Sequence, residues 1–134
     1  MAFLDRFSPQ LLSVLRIISA LLFMCHGTMK LFQFPPSERF GEPPETGSLI
    51  WFAGVLEVFG GALLAAGLFT RVAAFVLSGQ MAVAYFMAHA PQGFYPLLNG
   101  GESAVLFCFV FLYIAAAGGG PWSLDTLISR KKAA

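Results

Sequence analysis

Residues 49–90 read LIWFAGVLEVFGGALLAAGLFTRVAAFVLSGQMAVAYFMAHA, and this stretch decides the fold. Two apolar runs, about Leu49 to Phe69 and Val72 to Ala90, are separated only by Thr70-Arg71. Each run is close to the ~20 residues that a helix needs to span a bilayer. A two-residue connection forces the pair into a tight antiparallel hairpin. Strands fit poorly, because a barrel strand alternates apolar and polar residues over ~10 positions and neither run alternates.

Two further apolar runs flank this pair, one from about Leu11 to Phe34 and one from about Ser103 to Ala117. The last is short and borrows from its flanking glycines. Punctuation agrees with the division. The segment from Pro35 to Gly47 holds four of the eight prolines and cannot continue a helix. Pro91 to Gly101 ends in Asn99-Gly100-Gly101, and Gly118-Gly119-Gly120-Pro121 stops the fourth run before a short amphipathic tail. Arg16 interrupts the first run and no small-x-small cleavage site follows, so the N-terminus reads as a retained span, not a secretion signal. The expected fold is all-α: an integral membrane four-helix bundle, one domain over residues 1–134, with spans at about 11–34, 49–69, 72–90 and 103–117.

Composition excludes most other classes. The chain is 57% hydrophobic, carries 15 phenylalanines and is only 11% charged, against roughly 25% in soluble domains. Its mean hydropathy is +0.75. A small soluble domain has too much surface to be this poor in charge. Eight Lys and Arg against seven Asp and Glu leave a net charge of +1, so nucleic acid finds no basic footprint. Two cysteines make no disulfide framework and no CxxC occurs. The first partner is therefore the lipid bilayer.

Orientation follows from the basic residues beside each span. Arg6, Arg71, Arg130, Lys131 and Lys132 gather on one side, where Arg16 is expected to snorkel. Arg39 lies on the other side, with Lys30 near its edge. The richer side is expected to be cytoplasmic, with both termini there.

That topology brings the intramembrane polar residues to one level. His26 and Lys30 come late on an outward-going helix, and Glu57 lies about 12 Å into an inward-going one. His89 ends the second outward helix and Glu102 begins the last inward one, so all five fall in the outer half. Arg16, Ser19, Phe23, His26 and Lys30 share one helical face. Gly54, Glu57, Gly61 and Ala65 form a small-residue stripe that turns Glu57 toward a packing face. On the third span Gln80 lies about 180° from His89, so the two are not expected in one pocket. Ionisable groups in hydrocarbon face the bundle interior. His26, Lys30 and Glu57 are therefore expected to form one buried polar cluster. Glu102, after two glycines at a helix start, is expected to cap that helix and face the bundle. Each residue also has a plainer role: Glu57 with Lys30 or His26 as a structural ion pair, His89 as a capping residue, Cys25 and Cys108 as apolar filler. No metal site is expected.

Taken in order, the marks are His26-Gly27 with Lys30-Leu31, Glu57 with Gly60-Gly61, Gly67-Leu68-Phe69-Thr70-Arg71, Ala84 through His89, Asn99-Gly100-Gly101-Glu102 and Gly120-Pro121-Trp122-Ser123-Leu124-Asp125. From about Leu11 to Asp125 the chain resembles the DoxX family of small four-helix membrane proteins. The resemblance implies a bacterial inner-membrane protein and marks His26, Lys30, Glu57, Arg71, Asn99 and Glu102; of the candidate site residues, Arg71 and, from its place at the helix end, His89 are secondary. Some members of that family are linked to thiosulfate:quinone oxidoreductase or to redox-stress complexes, and more distant relatives act as membrane chaperones.

Two functions compete. One is a quinone-linked redox subunit, with His26, Lys30, Glu57 and Glu102 supplying donors and a proton path beside an aromatic wall. The chain has no flavin or nucleotide motif, no Fe–S spacing and no c-type haem motif. Electrons must then come from a redox partner protein or a bound cofactor. The sequence leaves the cofactor open: a quinone is one reading, and a haem held by His26 and His89 is the weaker one. The other function is a non-catalytic scaffold or chaperone that offers small-residue surfaces, including Ala74, Ser78 and Ala82, to a partner or a second copy. Transport is disfavoured, because four short helices enclose little space.

Overall fold

The computed structural model describes residues 2–38 and 41–133. Arg39, counted above as an outer-side cation, lies outside them. Helix α1 (Ala2–Asp5) precedes α2 (Ser8–Phe32), and α3 (Leu49–Ala66) and α4 (Thr70–Ala84) form the hairpin. Helix α4 runs on through a π-helical turn, Tyr85–His89, and a 3-10 turn, Ala90–Gln92. A short α5 (Pro96–Asn99) leads into α6 (Glu102–Ala117), and α7 (Leu124–Ala133) is the tail. No strand occurs among the described residues, so the all-α expectation holds.

Local chemistry explains the boundaries. Helix α2 starts before the expected Leu11 because Pro9 sits in its first turn, where the missing N–H costs nothing. It ends where Gln33 turns left-handed at φ 54°. Helix α3 opens on Ser48, whose side chain accepts the Trp51 N–H at 3.2 Å. Helix α3 ends at Ala66, three residues before the expected Phe69, and closes at Gly67 (φ 71°). There the Leu68 N–H donates to Leu63 and the Gly67 N–H to Leu64, a paired closure that favours glycine.

Helix α2 packs along α3 and α4 packs along α6, while α3 meets α4 and α2 touches α6 over shorter lengths. The core is narrow and rich in small residues: Ala20, Ala73, Ala74 and Ala104 beside Phe23, Leu64, Leu77, Phe111 and Ile114. Phe23 stands edge-on to Phe111 at 4.9 Å and tilts against Phe107 at 5.3 Å. Outward, Phe59, Phe75, Leu106 and Phe109 are 60–68% exposed. Arg16, Glu57, Thr70, Ser78 and Asn99 are buried. Apolar side chains outside and polar ones inside are what a hydrocarbon solvent demands. Helices α2, α3 and Thr70–Gln92 are long and apolar enough to cross a membrane, and α6, with 16 residues, is apolar but shorter.

At the end of the bundle that carries both termini, Arg16 corrects an expectation. It does not snorkel to the interface but is fully buried. Its guanidinium donates to the Leu64 carbonyl, to Ala65 at 2.7 Å, to Gly119 at 2.9 Å and to Trp122 at 2.6 Å. One side chain from α2 thus holds the end of α3 and the turn after α6. The reason is that carbonyl dipoles at a helix C-terminus and in a glycine turn supply acceptors that a snorkelling arginine would seek in water.

Neighbouring contacts extend this knot. Asp125 accepts the Phe69 N–H at 2.9 Å and the Thr70 N–H at 2.8 Å, capping α4 from a distant part of the chain. Burial alone would raise the Asp125 carboxyl, but hydrogen bonds from Thr70 and Phe69, with the charge of Arg16, outweigh it and hold the group below the usual carboxylate range. Arg71 donates to Ala115 at 3.0 Å, to Ala116 and to Ala117 at 3.4 Å, closing the end of α6.

Replacing Arg16 by Met leaves these buried carbonyls with fewer donors. Arg16→Met is expected to lower stability by at least about 3 kcal/mol. Exposed Arg6, stacked on Phe3 and Phe7, is expected to tolerate Arg6→Met within about 0.5 kcal/mol. Unfolding in a denaturing-detergent titration measures both.

Candidate functional site

The opposite end of the bundle is built around the contact of α2 with α3. Gly27 makes that contact close: a Cβ there would lie 2.8 Å from both Glu57 Cβ and the Gly54 carbonyl oxygen. No side chain larger than hydrogen fits. One turn further, Lys30 reaches across and its ammonium binds Glu57 Oε1 directly. Glu57 is 1% exposed and Lys30 16%, so the pair is inside the protein. From α4, Gln80 Nε2 donates to the Ala53 carbonyl at 3.1 Å and to the same Glu57 Oε1 at 3.4 Å. Glu57 Oε2 and Gln80 Oε1 are buried and have no hydrogen-bond partner among the described residues.

A cavity of about 850 Å³ opens beside this trio, between the α2–α3 and α4–α6 pairs. Its wall is mostly apolar and aromatic, with Phe23, Phe52, Leu56, Met81 and Phe107 prominent. His26 lies on it, edge-on to Phe107 at 5.8 Å between ring centroids. His89 and Gln92 line it from the end of the α4 rod. His26, Lys30 and Glu57 therefore border one space on neighbouring helices.

Gln80 and His89 line that same cavity, against the expectation from α-helical angles. The π-helical turn Tyr85–His89 is the cause: its wider i→i+5 repeat puts an extra residue into the turn and breaks the 100° register between the two positions. The angle that set Gln80 and His89 apart therefore does not hold past Ala84. An available signal was depth, since Gln80 and Glu57 lie at similar distances from this end, about 12–14 Å.

Asn99 stands behind the cavity as a brace. Its Oδ1 accepts the Gly101 N–H at 2.8 Å, and its Nδ2 donates to the Gly93 carbonyl at 2.8 Å and to the Tyr85 hydroxyl at 3.3 Å. His89 Nδ1 lies 3.1 Å from the Asn99 carbonyl oxygen, which can only accept, so that nitrogen carries the proton. The double glycine now has a reason. Gly100 takes φ 72°, and a Cβ on Gly101 would lie 2.7 Å from the Tyr85 ring.

Glu102 is a correction. It begins α6 but is exposed, does not line the cavity, and makes no side-chain cap, the capping position being occupied by Gly101. The nearby side-chain hydrogen bond is made by Asn99, which accepts the Gly101 N–H. Arg71 sits at the far end of the bundle, away from the cluster. Among the described residues no group of three or more His, Cys, Asp or Glu side chains could hold a metal ion. The small-residue surface on α4 is consumed internally: Ala74 lies in the core, and the Ser78 hydroxyl donates to the Cys108 carbonyl of α6 at 2.8 Å.

Comparison with known proteins adds the family context. A family model described as DoxX matches residues 11–90, more than half of the chain. That stretch covers His26, Lys30, Glu57, Arg71 and His89 and stops short of Asn99 and Trp122-Ser123-Leu124-Asp125. An uncharacterized protein of Haemophilus influenzae is 44% identical over 131 residues, 96% of this chain and 98% of its own length. An uncharacterized membrane protein of Mycobacterium tuberculosis is 28% identical over 145 residues, 94% of this chain and 86% of its own. No solved structure matches the chain significantly.

The brace and the exposed carboxylate separate cleanly by mutation. Asn99→Ala is expected to cost about 2 kcal/mol, because the Gly101 N–H and Gly93 carbonyl lose their partner. Glu102→Ala is expected to stay within about 0.5 kcal/mol. Thermal unfolding of the two variants in one detergent makes the comparison.

Proposed function

This chain belongs to the DoxX family and is a membrane protein, and from that premise we propose that it is a quinone-linked redox subunit of the bacterial inner membrane. Its partner in this reading is a redox protein that supplies the electrons. Helix α6 forms the fourth span, and both termini with the Thr70-Arg71 hairpin face the cytoplasm, as the Lys and Arg distribution requires.

The observation that carries the proposal is the second oxygen of Glu57. A carboxylate buried at membrane depth keeps Oε1 on Lys30 and Gln80, while Oε2 has no partner among the described residues, and Glu57 lines the cavity. A purely structural ion pair would be closed and fully hydrogen-bonded. The cavity volume, about 850 Å³, falls within the ~300–1,000 Å³ of small-molecule sites. A quinone matches its chemistry: a flat apolar ring for Phe23, Phe52 and Phe107, and carbonyl oxygens for N–H donors.

Reduction of a quinone to a quinol takes two electrons and two protons. In this reading Lys30 and His26 orient one carbonyl oxygen through N–H donors. Glu57 holds a proton at Oε2 and delivers it as the oxygen gains charge, while Lys30 and Gln80 keep Oε1 fixed. The apolar wall excludes water from the reduced ring. The partner protein supplies the electron pair, and the second proton comes from water, taken up through Glu57 after it has delivered its first.

Glu57→Gln keeps the shape and removes the proton-carrying carboxylate. It is expected to fold, and to lower partner-dependent quinone reduction by about 100-fold or more. Unchanged reduction in reconstituted membranes would remove the quinone role. Orientation is read independently with Cys25 and Cys108 replaced by Ser. Glu42→Cys is then expected to react with a membrane-impermeant thiol reagent from outside the cell, and Ser129→Cys only from the cytoplasmic side. The reverse pattern overturns the topology.

A further inference from the structure

The terminal end of the bundle carries a second hollow that the redox reading does not use. It is a groove of about 1190 Å³ between the α3–α4 hairpin, the glycine turn after α6, and α7. Three cations line it: Arg71, Arg130 and Lys132. Its single carboxylate is Asp125, and both oxygens of that group are occupied by the Phe69 and Thr70 amides. Arg71 donates only to neutral carbonyls at the end of α6. Among the described residues none of the three cations forms an ion pair with a carboxylate. Among the described residues, then, the groove is a basic recess whose cations are paired with no carboxylate.

Its other wall is apolar. Phe69 and Val72 line the groove and are each 66% exposed, and one turn further along α4 Phe75 continues the same lipid-facing surface. A headgroup held by the cations would leave its acyl chains against this wall. Neither a soluble anion nor an acidic protein segment uses both features. From this charge complementarity, set beside a surface that already faces lipid, we propose that the groove is a binding site for an anionic phospholipid, whose phosphate is held by Arg71, Arg130 and Lys132.

Arg71 is the fixed element of the site, since its guanidinium is anchored on three carbonyls and loses little further freedom when it meets a phosphate. Arg130 and Lys132 close over it from α7. Lys131 is the internal control: it lies between them in sequence, carries the same charge, and does not line the groove.

The test uses the full chain in detergent and measures phosphatidylglycerol binding by native mass spectrometry and by thermal stabilisation. Phosphatidylcholine and inorganic phosphate are the comparison probes. Phosphatidylglycerol is expected to bind and stabilise, and neither comparison probe to match it. The double substitution Arg130→Gln with Lys132→Gln is expected to weaken binding by about 10- to 30-fold. Lys131→Gln is expected to change it less than about twofold. Arg71→Gln is expected to abolish the stabilisation, and because it also loosens α6, the α7 variants keep the test independent of folding. Three results would overturn the site: equal binding of phosphatidylcholine, equal stabilisation by inorganic phosphate alone, or equal weakening by Lys131→Gln, which would mean a diffuse surface charge.

Discussion

The structure depends on the burial of one guanidinium. A charge inside a bundle surrounded by hydrocarbon costs several kcal/mol unless acceptors surround it, and Arg16 meets that demand with main-chain carbonyls from three places in the chain. Removing any of those places would leave the charge short of partners. Helix α2, the closing turn of α3 and the glycine turn after α6 are therefore fixed together. Gly67 and Gly119 follow from that convergence, since a Cβ on either would strike Ser123. Asp125, docked two residues later, then caps α4 and brings the hairpin into the same arrangement.

The two ends of the bundle handle polarity differently. At the terminal end, cations meet carbonyl dipoles, and Arg16 and Arg71 each seal the C-terminus of a neighbouring helix. At the other end a cation meets a carboxylate, one carboxylate oxygen has no partner among the described residues, and a cavity lies alongside. The first arrangement surrounds its buried guanidinium with main-chain acceptors, although Gln10 Oε1 and Thr70 Oγ1 there are buried without a partner among the described residues. The second leaves the free capacity on a charged group that lines a cavity, which is what a ligand site needs. Close packing of α2 on α3 through Gly27 keeps the second end in register despite the hollow beside it.

Much of this was legible in the sequence. Apolar run lengths gave the four helices, because hydrocarbon solvation leaves few alternatives to a helix. The four-residue spacing of His26 and Lys30, with the depth of Glu57, placed these three residues beside one another. What was not legible has physical causes. The partners of Arg16 are carbonyls, which every residue carries, so no side-chain identity betrayed them. Gln80 and His89 were set on opposite faces because hydrophobic pattern does not distinguish an α-helix from one containing a single π turn. Glu102 occupies a position where a carboxylate commonly caps, yet Asn99, three residues earlier, reaches the Gly101 N–H first. The DoxX resemblance was visible along nearly the whole chain, whereas the family model covers residues 11–90.

The brevity of α6 has a consequence for the surrounding lipid. With α6 as the fourth span, its 16 residues reach about 24 Å, whereas the hydrocarbon layer is about 30 Å thick. A span of that length would be met by thinning of the bilayer along its flank, at a cost of a fraction of a kcal/mol per Å of mismatch. Because α6 begins at the cavity end, such a dimple would fall beside Phe107 and Ser103. Headgroups and water drawn down there would shorten the route between the aqueous phase and Glu57.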